Sequence, residues 1–243
     1  GVVVAAGDLP IFAAGTPVAG RAYDVALSLS RTVLNQLLAE ETRCGLLVSD
    51  IEALAGAPIT TDLLALVFPE IATIWPDTRP VRVEVRPGLA PFLTTQTGPA
   101  GEVAELRIGH LQLRFIVEDA GGDLQILNVL VDLRTGIEVG FDNILGLLEF
   151  VLGPLAANEI DVLVLENPLE LNETLVALTL QQLLPAALPN ISSTLGSFPI
   201  PEILGKTFYG LEASALGGSL GVFADLLPAG TIVQRDFTGA DFQ

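Results

Sequence analysis

Residues 171–195 contain a single ionisable side chain, Glu173, and their other polar members (Thr174, Thr179, Gln181, Gln182, Asn190, Ser192 and Ser193 among them) are uncharged. A surface helix shows a charged face opposite its apolar stripe, so a helix apolar nearly all round is expected to be buried. Glu173 suits the positive end of such a helix. Pro185 and Pro189 are expected to kink or divide it, and Phe198-Pro199-Ile200-Pro201 forces an extended exit. A continuous helix here is roughly 35–40 Å long. Something has to enclose an object of that length, and the rest of the chain is read for what does so.

A chain of 243 residues makes one large domain or two small ones, with ample core. Its apolar runs are broken. Ile144–Ala157 contains Glu149, and Thr174–Pro189 contains two glutamines and two prolines. Neither reaches the roughly 18–20 residues that span a bilayer. With 29 acidic against 11 basic residues the formal charge is −18, Lys206 is the sole lysine, and no two basic residues adjoin. That balance argues against nucleic acid, which needs a basic patch to displace counterions, and against docking on anionic lipid surfaces. A single cysteine, Cys44, excludes an internal disulfide and a CxxC pair, and reads as a half-buried, inert thiol. The chain has no methionine. Gly1 therefore reads as a processed or artificial start, with any secretion signal removed.

Residues 1–20 read as an extended lead-in, or the seam to a preceding domain, with a short strand at Val2–Ala6. Tyr23–Leu29 alternates as a strand. Ser30 offers a helix N-cap, Arg31–Arg43 has helical spacing, and Gly45 stops it. A second helix is expected from Thr60 or Thr61 to about Trp75, interrupted by Pro69 and ended by Pro76. The period then changes to two. Val81–Arg86 alternates as a strand with one wet and one dry face. Leu106–Glu118 alternates with a phase slip near Gly109-His110, and Leu124–Leu133 with a second slip near Leu127, as β-bulges produce. Gly121-Gly122 marks a hairpin and Thr135-Gly136 leads into a separate strand, Ile137–Phe141. Ile160–Glu166, Thr207–Ala215 and Leu220–Leu226 complete the strands, with Gly217-Gly218 turning between the last two and a loose tail over 228–243. Three helices and long bulged strands are expected to give a strongly curved sheet around the last helix.

Five segments in this order carry a family likeness: Asp24–Leu38 (DVALSLSRTVLNQLL), Ile59–Pro76 (ITTDLLALVFPEIATIWP), Val81–Pro91 (VRVEVRPGLAP), Phe198–Gly205 (FPIPEILG) and Gly218–Leu226 (GSLGVFADL). Together they resemble the C-terminal barrel of the bactericidal/permeability-increasing protein and lipid-transfer family, within the tubular lipid-binding (TULIP) superfamily. The resemblance implies an α+β fold over residues 21–227, a highly curved long antiparallel β-sheet wrapped around a long helix, with an elongated apolar tunnel that holds lipid. The acidic chain departs from the lysine- and arginine-rich surfaces of the antibacterial members. Those members also carry two barrels. This chain is therefore expected to be a single-barrel member, pairing as a homodimer, or one half of a longer protein.

Catalysis has no visible apparatus. Hydrolysis needs a nucleophile, a base and a group to orient it, and His110 is the only histidine. It reads as a structural or surface residue. Gly217-Gly218-Ser219-Leu220-Gly221 is a hairpin and lacks the Gly-x-Ser-x-Gly order of a nucleophile elbow. Glu118, Asp119 and Asp123 read as a solvated hairpin tip, and one histidine with one cysteine makes no zinc site. The chain is expected to be non-enzymatic, without metal or cofactor. What remains is the apolar excess. The expected tunnel lining comes from three helices: Leu34, Leu37 and Leu38 on the first, Leu64, Val67, Phe68 and Ile71 on the second, and Val176, Leu180, Leu183, Leu184 and Leu188 on the third. Gln181 and Gln182 would mark polar ligand atoms. The expected partner is a phospholipid or another acyl or sterol-like lipid, with transient membrane contact, in the bacterial periplasm, outer envelope or exterior. The alternative is an envelope scaffold whose tunnel has collapsed and whose acidic surface binds partners.

Overall fold

The computed structural model describes residues 12–45, 48–54, 56–94, 96–143, 147–195, 197–199, 205–216 and 219–228. Outside them lie the expected strand at Val2–Ala6, the Ile200–Leu204 part of the exit turn, Gly217-Gly218, and the tail beyond Pro228. In chain order the elements are β1 (Val25–Ser30), α1 (Arg31–Arg43), β2 (Ser49–Ile51), β3 (Ala53–Leu54), β4 (Ala57–Pro58), α2 (Thr61–Ala65) and α3 (Glu70–Ile74). Then come β5 (Val81–Pro87), β6 (Phe92–Leu93), β7 (Ala104–Val117), β8 (Leu124–Asp142), β9 (Leu147–Leu152) and β10 (Ile160–Glu166). The chain continues through α4 (Glu173–Leu195), β11 (Ser197–Pro199), β12 (Lys206–Leu216) and β13 (Ser219–Pro228). The class is α+β, and every strand pair is antiparallel among the described residues.

The chain divides into two compact units, one of residues 1–30, 139–151 and 196–243, the other of residues 31–138 and 152–195. In the first, β1 and β12 flank β13, and β9 pairs with β11. Its aromatic centre is Phe223, 1% exposed, met edge-on by Tyr23 at 5.0 Å and Phe12 at 5.9 Å between ring centroids. The Glu212 carboxylate accepts the N–H groups of Val18 and Ala19 at 2.9 and 3.0 Å. Burial pushes its pKa up, but those bonds, one with Thr16 and the charge of Arg21 together outweigh burial and hold it below the usual range.

In the second unit, β2, β5, β7 and β8 are neighbours in that order, with β10 on β8 and β6 on β7. Strand alternation separates two faces. Val83 and Val85 on β5, Leu111, Leu113 and Phe115 on β7, and Val129, Val131 and Leu133 on β8 are all buried. Between them stand Arg82, Glu84, Arg86, Gln112, Arg114 and Asn128, which make the other face. There Glu84, 8% exposed, accepts from Arg82 at 2.8 Å and Arg114 at 2.9 Å. Arg82 also reaches Asp123 at 2.8 Å and Glu118 at 3.4 Å. The acidic hairpin tip thus serves as counter-charge to an arginine.

Both phase slips are β-bulges. The β7–β8 register shifts between Ile108 and Leu111, where His110 has φ 52°, and again opposite Ile126, between Phe115 and Ile116. The exposed His110 holds the first bulge together: its N–H donates to Asp132 Oδ1 at 2.5 Å and its carbonyl accepts from Gly88 N–H at 2.8 Å. Gly122, φ 119°, turns β7 into β8 as its sequence implies.

Thr135-Gly136 is no turn, because β8 runs unbroken for 19 residues. Thr135 is fully buried and donates to the Gly153 carbonyl at 3.0 Å. At Gly136 a Cβ would overlap the Glu102 side chain, so the glycine answers a close approach. The second helix is two helices: α2 ends at Ala65, four residues before Pro69, the carbonyl position a proline ring strikes. Cys44 is exposed rather than half-buried.

The helix at 173–195 forms as one 23-residue element, assigned as helix through Pro185 and Pro189. Asn172 caps it, its Oδ1 accepting Leu175 N–H at 3.1 Å. It is not buried all round. Val176, Leu180 and Leu184 form one buried stripe at i, i+4 spacing, while Leu175, Leu178 and Leu183 are 38%, 53% and 36% exposed. Elements of the second unit cover one side, and the other is an uncharged leucine face. Among the described residues no helix is long and apolar enough to cross a membrane.

Candidate functional site

Beneath α4, within the second unit, lies a cavity of about 200 Å³. Its floor is the dry face of the sheet: Val83 and Val85 from β5, and Leu111, Leu113 and Phe115 from β7. Leu63, Leu64, Leu66, Val67 and Phe68, from α2 and the turn after it, form one wall, and Thr179, Leu180, Leu183 and Leu184 of α4 another. Ile51, Leu54 and Ile59 close the remaining side. A second lobe of about 30 Å³ shares Leu64, Phe68, Phe115, Thr179, Leu180 and Leu183 with the first, and reaches Ile71, Ile126, Leu171 and Val176.

Local sequence explains how the walls are held. Thr60 caps α2 by accepting Leu63 N–H at 3.3 Å, which directs Leu63, Leu64 and Val67 inward as one turn. The Thr61 hydroxyl accepts Arg79 N–H at 2.9 Å, tying α2 to the segment that leads into β5. Asn167 brackets Leu171 with a reciprocal pair, donating to its carbonyl at 2.7 Å and accepting its N–H at 2.9 Å. That pair sets where α4 begins.

Among the described residues the lining offers a ligand no free hydrogen-bond donor. Its one polar residue, Thr179, donates its hydroxyl to the Leu175 carbonyl at 2.7 Å, a bond internal to the helix. Gln181, expected to mark polar ligand atoms, instead donates to the Ile160 carbonyl at 2.9 Å and fastens α4 to β10. The exposed residues of the lining mark its mouth. Leu66 is 81% exposed, and Leu63 and Leu183 are exposed as well.

Of the expected lining, Leu64, Val67, Phe68, Leu180, Leu183 and Leu184 face the larger lobe, and Ile71 and Val176 the smaller. Leu34, Leu37 and Leu38 line neither. Leu34 is buried elsewhere, Leu37 is exposed, and α1 is fastened to β6 by Asn35, which exchanges two hydrogen bonds with the Leu93 backbone at 2.7 and 3.1 Å. The Leu188 side chain lies outside the described residues. Helix periodicity missed the sheet floor, although the dry phase of Val83, Val85, Leu111, Leu113 and Phe115 was visible in the alternation. Ile51 and Leu54 sit on strands too short to show a period, and Ile59 directly follows one.

No protein-family model matches the chain, and no curated protein matches it. A solved structure, described as the crystal structure of lipopolysaccharide binding protein, is similar over 84% of this chain at 14% identity, with a TM-score of 0.47. The chain spans 40% of that protein's length.

Proposed function

We propose that this protein is a non-catalytic lipid-binding or lipid-transfer protein of the bacterial envelope or exterior, belonging to the tubular lipid-binding proteins its five sequence segments resemble. The supporting observation is the cavity between α4 and the dry sheet face, lined among the described residues by apolar side chains apart from Thr179 and opening past exposed leucines. A dry cavity of about 150 Å³ accepts benzene, so one of this size takes on the order of eight carbons. At about 0.8 kcal/mol per buried methylene that is roughly 6 kcal/mol, enough to hold a lipid tail without any polar contact. The acyl or sterol-like ligand enters tail-first, and its remainder rests on Leu63, Leu66 and Leu183.

Mass spectrometry of an organic extract of the purified protein tests this. A lipid should be recovered in a fixed ratio to protein, and Leu184→Gln should lower that ratio while the protein stays folded. Extracts that hold no lipid from protein made in its native host, together with no uptake from added lipid, would sink the proposal.

One observation favours a second reading. The cavity is smaller than the roughly 300–1,000 Å³ typical of ligand pockets, and α4 exposes Leu175 and Leu178 outside it. A scaffold that docks a partner on α4 would look like this. It would carry no stoichiometric lipid.

A further inference from the structure

The two lobes of the cavity succeed one another along three separate walls. On the helical wall Leu63, Leu66 and Val67 border the larger lobe alone, Leu64 and Phe68 border both, and Ile71 borders only the smaller. On the floor Leu111 and Leu113 border the larger lobe and Phe115 borders both. Ile126, at the second bulge, borders only the smaller. Helix α4 runs the other way: Leu184 borders the larger lobe, Leu183, Leu180 and Thr179 border both, and Val176 only the smaller. The same succession on a helical turn, a strand and a long helix defines one axis through the cavity.

That axis has an open end and a closed one. Leu63 and Leu66, which border only the larger lobe, are exposed. Ile71, Ile126, Leu171 and Val176, which border only the smaller, are each 3% exposed or less. Side chains that border both lobes stand between them, and the bulkiest of these are Phe68, from the helical wall, and Phe115, from the floor. Both are buried. The backbone holds each in place. Phe68 N–H donates to the Leu64 carbonyl at 2.9 Å, and the Phe68 carbonyl accepts from Ile71 N–H at 3.0 Å. Phe115 is fixed in the sheet between Val83 and Leu127.

We infer that the two lobes are one linear site for a straight alkyl or acyl chain, with its methyl end towards Ile71, Ile126 and Val176, and that Phe68 and Phe115 set the length of chain it accepts. This inference rests on the lipid-binding reading and deepens it. The smaller lobe, at about 30 Å³, has room for about one carbon at the packing of benzene in a dry cavity. The chain therefore stops at the two rings. Replacing either phenylalanine with leucine removes three side-chain carbons, and the surroundings of a truncated core residue relax only partially. The freed space joins the closed end to the larger lobe.

The test follows straight-chain alcohols from 1-hexanol to 1-dodecanol, each displacing tritiated 1-octanol from the full chain. In the parent, affinity should stop rising at about eight carbons. In Phe68→Leu and in Phe115→Leu it should rise for about three carbons more, so that 1-undecanol binds about 50-fold more tightly than 1-octanol. Retained binding of 1-octanol reports that a variant is folded, and either variant alone carries the test. Refilling the closed end in Phe68→Leu/Val176→Phe should return the limit to about eight carbons. Phe223→Leu makes the same truncation at a buried phenylalanine of the first unit that borders neither lobe, and should leave the limit where it is. A limit unmoved in the single variants, still extended in the refilled one, or moved as far by Phe223→Leu would overturn the inference while leaving lipid binding in place. If the parent retains no 1-octanol, the lipid-binding reading falls and this inference with it.

Discussion

Gly136 stands in the middle of a strand, where glycine ordinarily weakens pairing, because Glu102 occupies the space a side chain would take. Gly98 and Gly153 are held to glycine by the same carboxylate. Glu102 is 4% exposed and anchored by Ala100 N–H at 2.9 Å, so it cannot swing into solvent without opening the loop. Gly136→Ala should therefore cost about 2 kcal/mol or more in urea denaturation. Gly140→Ala, four residues along the same strand and facing open space, should stay within about 0.5 kcal/mol of the parent. Glu159 is a second residue with a definite assignment. The hydrogen bond from Arg134, helped by its charge and by Asn158, outweighs burial and holds the Glu159 carboxyl below its ordinary value of 4.5. A carboxylate with a depressed folded-state pKa contributes stability fully present above the unfolded value and lost as pH falls through the folded one. Glu159→Gln should thus be less stable than the parent at pH 7, and the gap between their urea midpoints should close as pH drops below about 4.

Among the elements, helix α4 begins at a side-chain cap. Asn172→Ala removes the acceptor for Leu175 N–H and should cost about 1 kcal/mol, read from thermal or urea unfolding. The cavity under that helix sets a chain-length rule. Affinity for straight-chain alcohols should rise about fourfold per methylene up to about eight carbons and then flatten, as measured by displacement titrations. Long periodic elements were legible in the sequence: α1, β10 and α4 stand where residue spacing put them, and both bulges stand where the alternation slips. Short or paired elements were not. β2, β3, β4 and β6 span two or three residues each, too short to show a period, and the backbone of β2 is fixed by a partner distant in the chain, as Ser49 is by Val85. Glycine misled because its sequence signature is the same whether it turns the chain, as Gly122 does, or admits another side chain, as Gly136 does. Of the residues expected to line the site, those described on α2, α3 and α4 and the turn between α2 and α3 border the cavity, those on α1 do not, and the sheet floor was missed. Which of two alternating faces meets a helix depends on contacts that no local period encodes.

At the scale of the molecule, the aromatic residues divide conveniently. Trp75, the only tryptophan, belongs to the second unit, and Tyr23 and Tyr209, the only tyrosines, to the first. β8 runs through the boundary at Glu138–Val139, and β9 through the one at Val151–Leu152. Losing either unit would strip hydrogen-bonded partners from a strand it shares, so the two should unfold together. Urea transitions followed by tryptophan and by tyrosine fluorescence should have the same midpoint. Separate midpoints would show independent folding. The shared strands also bear on how a gene for this chain can be rearranged. Each unit is assembled from segments that alternate along the coding sequence, with junctions inside β8 and β9 and at the bond where β1 passes directly into α1. No single recombination breakpoint separates one unit from the other. A lineage carrying this protein could duplicate it, truncate its ends or vary its loops, but could not trade one unit for a foreign one by a single crossover.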